Sequence, residues 1–176
     1  IPVLNGQTGP VSDHATKAQI LLDRFKGIMG SPLLRTVSLN WEALNLPHLD
    51  LSHLESSFSE QELRDAVSEI HGEKAPGPDG FTGMFYKRCW PVIKGGLLAA
   101  VNCIHSVRAP NWNIVNTANL VLLPKRDGAQ NASDFRPISL MHSVPKLLSK
   151  MLASRLAPEI HKLVSNNQSA FIRGRS

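Results

Sequence analysis

Apolar positions recur at helical spacing early in the chain. Ala18, Leu21, Leu22, Phe25, Ile28 and Met29 share one face and predict a helix from His14 to Met29. Asp13 can cap its start, and Gly30 can end it in a left-handed turn. The leucine-dotted stretch 31–57, with Pro32 and Pro47, has no period and reads as a connector lying on another surface. A stronger signal follows. Ser59 and Glu62 form an S-x-x-E capping box, flanked by Phe58 and Leu63 as a hydrophobic staple. Leu63, Ala66, Val67 and Ile70 then make a buried stripe that Gly72 should end. From Thr82 to Val107 the pattern is helical again, with Leu97, Leu98, Val101, Ile104 and the edge residue His105 on the apolar face. Pro91 and the pair Gly95-Gly96 should break this helix in two.

The period changes at Thr117. "TANLVLLPK" is a nearly continuous apolar run stopped by Pro124, which predicts a buried strand. "RDGAQNASD" is turn-rich around Asp127-Gly128, and "FRPISL", from Phe135 to Leu140, resumes in extended form because a residue before proline is pushed out of the helical region. Strand, polar loop and strand predict a hairpin with a long, mobile tip, and core positions for Ile138 and Leu140. A last helix is expected from Ser143, its cap, with Pro145 in the first turn. Its apolar face runs through Val144, Leu147, Leu148, Met151, Leu152, Leu156, Ile160 and Leu163, with a bend near Pro158. Lys146, Lys150, Arg155 and Lys162 fall on the other faces. The expected class is α+β, with helices packed on a short antiparallel hairpin.

Charge sharpens the division. Residues 1–70 hold five Lys/Arg against nine Asp/Glu, whereas residues 71–176 hold fourteen against five. A basic excess confined to one part suits a phosphate backbone as partner, although composition alone favours a solvated basic surface. No apolar run is long enough for a membrane span. Cys89 and Cys103 give neither a disulfide framework nor metal spacing, which predicts reduced thiols in a nuclear or cytoplasmic setting. The start "IPVLNGQTGP" has no signal-peptide pattern, and both ends read as cuts through a longer polypeptide.

Several chemistries drop out. In "GEKAPGPDG" Pro78 stands where a Walker loop needs its lysine, so NTP hydrolysis of that kind is excluded. There is no H-E-x-x-H and no G-x-S-x-G, and the seven histidines are scattered. What remains is cations on stiff supports. Lys125 follows Pro124 at the end of one strand, and Arg136 opens the next, before Pro137. Should the strands pair close to register, a point charge and a bidentate fork would be placed for a triphosphate. Ordinary hairpin surface charges fit the same positions.

Four blocks in one order now carry a resemblance: "EKAPGPDGF", "NLVLLPK", "DFRPISL" followed by a basic amphipathic helix, and "NQSAFIRGRS". Together they resemble the reverse transcriptase of non-LTR, LINE-type retrotransposons, in particular the group abundant in plants, over roughly Leu39 to Ser176. The resemblance implies the fingers of a right-hand polymerase, with palm and thumb absent. Residues 1–57 would be a linker, carrying one helix, after an upstream endonuclease domain. Residues 58–176 would be the N-terminal extension and fingers.

By that resemblance Lys125 and Arg136 bind the incoming dNTP. Lys74, Gly77, Gly80, Gln168, Arg173 and Arg175 approach RNA template and DNA primer, the small loop residues allowing the main chain close to the strand. Phe171 is either a base-stacking residue or a core anchor. The family's catalytic carboxylates, which hold Mg²⁺, match nothing in this stretch, and Asp127 and Asp134 do not stand in for them. The chain alone is therefore expected to be inactive in nucleotide addition. Two other readings remain open on the residues: a non-catalytic nucleic-acid-binding remnant of a decayed element, and a helical module whose basic face binds acidic protein.

Overall fold

The computed structural model describes residues 1–31, 37–40, 42–44, 49–165, 167, 168, 172 and 174. The chain is α+β, with two small two-stranded antiparallel sheets among helices. It divides into two compact units, residues 1–48 with 120–138 and residues 49–119 with 139–176.

The second unit holds the main core. Ser59 caps α2 (Glu60–Glu69): its hydroxyl accepts the Glu62 N–H at 3.2 Å while the Glu62 carboxylate accepts the Ser59 N–H at 2.8 Å. The predicted stripe Leu63, Ala66 and Val67 is buried, and Ile70 packs against the same core. The helix stops at Glu69, short of Gly72. After the "APGPDG" loop come α3 (Gly83–Arg88) and α4 (Trp90–His105). The break lies at Cys89, with Pro91 in the first turn of α4, where its missing N–H costs nothing. Gly95-Gly96 do not interrupt α4. Leu97 and Val101, just beyond them, are buried, and their packing outweighs the roughly 1 kcal/mol that each glycine costs a helix. Then come α5 (Trp112–Val115), α6 (Ser143–Leu156) and α7 (Ile160–Leu163), with the expected bend around Pro158. Leu147, Leu148 and Met151 of α6 close the core against Phe58, Tyr86, Leu97 and Val101, whereas Leu152, Leu156 and Leu163 stay exposed. Asn102 adds a polar tie: its amide accepts the Phe58 N–H at 2.7 Å and donates to the Phe58 carbonyl at 3.0 Å. His105 lies edge-on to Phe58 at 4.9 Å between ring centroids.

The first unit contains β1 (Leu4–Gly6) and β2 (Gly9–Val11), paired antiparallel with Gly6 opposite Gly9, a hairpin that the apolar pattern did not announce. Three-residue strands containing Gly and Pro carry too few alternating positions to be read. Helix α1 (His14–Met29) has the predicted limits, with the Asp13 carboxylate accepting the Thr16 N–H at 2.7 Å and Gly30 at φ 69°. Its apolar face is a different matter: only Phe25 is buried, and Leu22, Ile28 and Met29 are exposed.

Strands β3 (Ala118–Pro124) and β4 (Phe135–Met141) form the predicted hairpin. It is not the buried pair expected. Leu120, Val121, Leu123 and Ile138 are exposed, Leu140 is half-buried, and Phe135 alone is buried. An apolar run fixes extended backbone, but burial needs a covering layer on both faces. The long tip is bonded in place rather than loose. The Asn5 N–H donates to the Gln130 carbonyl at 2.7 Å, the Asn5 amide donates to Asn131 at 3.1 Å, and Arg126 pairs with Asp134 at 3.1 Å.

Candidate functional site

The two cations singled out in the sequence stand on one hairpin. The Lys125 N–H donates to the Asp134 carbonyl at 2.8 Å, so Lys125 stands opposite Asp134, and Arg136 lies two residues farther along β4. Alternation along the strands puts Lys125 and Arg136 on the same face, diagonal to each other instead of directly opposed. The other face carries Leu122, Pro124 and Phe135, which line a cavity of about 500 Å³ with Ile1, Pro2 and Val3. The cation-bearing face is open.

The two cations differ in engagement. The Lys125 ammonium donates to the Ser133 carbonyl at 2.6 Å, which draws it toward the tip. Among the described residues nothing pairs with the Arg136 guanidinium, and Arg136 is exposed. Its neighbour Arg126 is held by Asp134, and that ion pair, with bonds from Asn131, keeps the Asp134 carboxyl below its ordinary range. The tip carboxylate thus answers Arg126 and not Arg136.

The "APGPDG" loop has an internal assignment as well as any external one. Gly77 is buried against the end of β4: a Cβ there would lie 2.0 Å from the Met141 carbonyl oxygen and 2.8 Å from the His142 nitrogen, both backbone atoms that cannot swing aside. Gly80 closes the turn at φ 72°, its N–H donating to the Gly77 carbonyl at 3.0 Å. Between them, Asp79 accepts the Ser143 N–H at 2.6 Å and the Phe81 N–H at 3.2 Å. Ser143 was the expected cap of α6. Instead His142 occupies the cap position, and a carboxylate far away in sequence supplies the acceptor. The Ser143 hydroxyl turns inward to the Phe81 carbonyl and the Tyr86 phenol, whose pKa is raised by burial and by the nearby Asp79 charge. Lys74 is exposed at the front of this loop. Gln168 is exposed and bonded within the chain; Arg173, Arg175 and Phe171 lie outside the described residues.

Arg155 has a structural role that sequence reasoning missed. The spacing sets it off the apolar stripe of the last helix, yet its side chain is only 12% exposed. Its Nε donates to Glu62 at 2.6 Å, its two terminal nitrogens reach Glu62 and the carbonyls of Leu54, Ser56 and Ser57, and its plane lies 3.9 Å over the Phe58 ring. Five donors are answered at once. The Arg155 bonds, followed by those from Ser59, lower the Glu62 carboxyl to about 2. The missed signal was the capping-box glutamate itself, which leaves an oxygen available to a cation.

No group of three His, Cys, Asp or Glu side chains among the described residues is arranged to hold a metal ion, and none of their helices is long and apolar enough to cross a membrane.

Comparison with known proteins gives two relatives. The chain is 30% identical over 150 residues to the retrovirus-related Pol polyprotein from the type-2 retrotransposable element R2DM of Drosophila melanogaster, covering 81% of this chain and 13% of that protein. It is 29% identical over 118 residues to the Pol polyprotein from the type-1 retrotransposable element R1 of Bradysia coprophila, covering 65% of this chain and 12% of that one. The chain thus spans about one eighth of the length of either relative. No family model matches it.

Proposed function

The chain is homologous to a segment of non-LTR retrotransposon Pol polyproteins, a reverse-transcriptase-like stretch, and on that footing we propose that it forms the fingers of an RNA-directed DNA polymerase. In this reading the β3–β4 hairpin binds the triphosphate of the incoming dNTP. Arg136 supplies a two-pronged contact to phosphate oxygens and Lys125 a point charge. The single observation that carries it is an exposed arginine without a partner among the described residues, on the same hairpin face as a lysine whose ammonium bonds a backbone carbonyl. Releasing one carbonyl is a small cost beside a charge-assisted bond to phosphate.

Lys74 and the basic second part of the chain would hold RNA template and DNA primer through their backbones. By the resemblance of its motifs, the Mg²⁺ that such a reaction uses would be held by carboxylates elsewhere in the polyprotein. Alone, this stretch would bind without adding nucleotides.

Filter binding of the chain to an RNA–DNA hybrid across a salt series tests the nucleic-acid part. Affinity should fall steeply, by about 0.9 log units per log unit of salt for each phosphate contacted, and Lys74→Ala should remove about one such contact. Absence of binding at low salt, or binding indifferent to salt, would overturn the assignment.

A further inference from the structure

The "APGPDG" loop runs into an aromatic residue that the core does not absorb. Phe81 is 45% exposed, yet its main chain is bonded on both sides. Its N–H donates to the Asp79 carboxylate at 3.2 Å, and its carbonyl accepts the Ser143 hydroxyl at 3.4 Å. The Phe81 ring lies on the Phe85 ring, 4.3 Å between centroids and 23° from parallel, and meets Tyr86 edge-on at 6.4 Å. Tyr86 belongs to the core of this unit and Phe85 packs against it. One face of Phe81 is thus backed by a wall anchored in the core, and its open surface is turned away from that wall. A lone exposed aromatic is ordinary. A ring with a bonded main chain and a second ring behind it has little freedom left to lose on binding.

Unengaged cations accompany the ring. The Met84 N–H donates to the Gly72 carbonyl at 3.1 Å, so residues 72–84 form a closed loop, and Lys74 is exposed on it. Lys87 and Arg88 are exposed in the last turn of α3. Arg88 stands three residues beyond Phe85, which makes the two neighbours on one side of the helix. Lys94 and Lys150 of the same unit are paired with Glu60 and Glu69, whereas Lys74, Lys87 and Arg88 have no partner among the described residues. Of the loop's own carboxylates, Glu73 is exposed and Asp79 is bonded to Ser143.

An open aromatic face with free cations beside it fits a single strand of nucleic acid, the ring taking a base and the cations its phosphates. A duplex keeps its base faces covered by neighbouring bases and cannot use the ring. An apolar protein surface could cover the ring, but it would have to desolvate the cations without answering them. We infer that Phe81, backed by Phe85, is a stacking platform for an unpaired nucleobase, with Lys74 and Arg88 on phosphates of the same strand. This rests on the nucleic-acid reading above and deepens it, from a backbone grip to recognition of single strands with little regard to base identity.

Equilibrium binding of the chain to a short single-stranded RNA across a salt series separates the two claims. Phe81→Leu, which keeps an apolar side chain, should weaken binding about tenfold with the salt slope unchanged, because no phosphate contact is lost. Phe81→Trp should restore the affinity. Arg88→Ala should instead reduce the salt slope by about 0.7. On a fully paired RNA–DNA hybrid, Phe81→Leu should stay within about twofold of the unaltered chain. An abasic strand of the same length provides a control that needs no substitution: the unaltered chain should bind it about tenfold more weakly than the base-bearing strand. If the chain binds RNA with a steep salt dependence while Phe81→Leu or the abasic strand shows no loss, stacking is wrong, the nucleic-acid reading stands, and the ring pair is left to an apolar protein partner. An equal loss on the hybrid would mark Phe81 as structural and would also overturn the proposal. If the unaltered chain binds no nucleic acid at low salt, the reading beneath the proposal is wrong as well.

Discussion

Two arginines on adjoining pieces of chain have opposite surroundings. Arg155, on α6, has all five donors answered and an aromatic ring beneath it. Arg136, on β4, has no partner among the described residues. The same contrast runs through the regions that hold them. Around α2, α4 and α6, polar groups are turned to structural use: a capping box, an amide bridging Phe58, a carboxylate capping a distant helix. On the hairpin, extended strands present apolar and cationic side chains to the outside. A fully satisfied cation stabilises a fold, and an unsatisfied one on a fixed support is available to a ligand. The difference separates scaffold from candidate site without any appeal to conservation.

Five substitutions would break or sharpen this contrast. The largest effect is expected in the core: Leu147→Ala, at a position 1% exposed, should cost about 3 kcal/mol in urea unfolding, while Leu123→Ala, at 49%, should cost no more than about 0.5 kcal/mol. Equal costs would mean that the hairpin is packed as firmly as the helices. Next comes Arg155→Ala, expected to cost about 2 kcal/mol, because it strips a part-buried carboxylate and three carbonyls of their donor. Arg155→Lys should not restore it, since an ammonium cannot reproduce the planar fork.

The same residue has a pH signature. Glu62 titrates at about 2 in the folded chain, below its ordinary 4.5, so its contribution is fully present above about 4.5 and is lost as pH falls toward 2. The parent should therefore lose stability through that window more steeply than Arg155→Ala, and parallel acid limbs would refute the pairing.

A further effect concerns Val107, which lies just beyond α4 at φ 58° and is 92% exposed. The N–H groups of Val107 and Arg108 return to Ile104 and Cys103, a closing turn that favours glycine. Val107→Gly should raise stability by up to about 1 kcal/mol, the relief of a left-handed β-branched residue offset by glycine's flexibility when unfolded. A lower melting temperature would count against that.

Where a segment's own residues decide its structure, the sequence was legible. Asp13, Ser59 and Glu62 carry their caps locally, and α1 and α2 start where those residues indicate. The β3–β4 hairpin could be read because Pro124 and Pro137 restrict its backbone. What could not be read depends on partners far away in the chain. Asp79 caps α6 across 64 residues, and Arg155 reaches Glu62 across 93. The exposed faces of α1 and β3 failed for a related reason, since an apolar stripe records a preference for burial and does not say what covers it. Of the site, the positions of Lys125 and Arg136 on one hairpin were legible; their diagonal register and unequal engagement were not.

The contrast between the two arginines can be measured directly by site-resolved modification with an arginine-specific dicarbonyl, read by mass spectrometry on a polyprotein bearing this segment and a bound template–primer. The account predicts that Arg136 reacts quickly and Arg155 slowly, and that a matched dNTP protects Arg136 without changing Arg155. Equal rates at the two positions, or an Arg136 that reacts as fast with dNTP as without it, would contradict it.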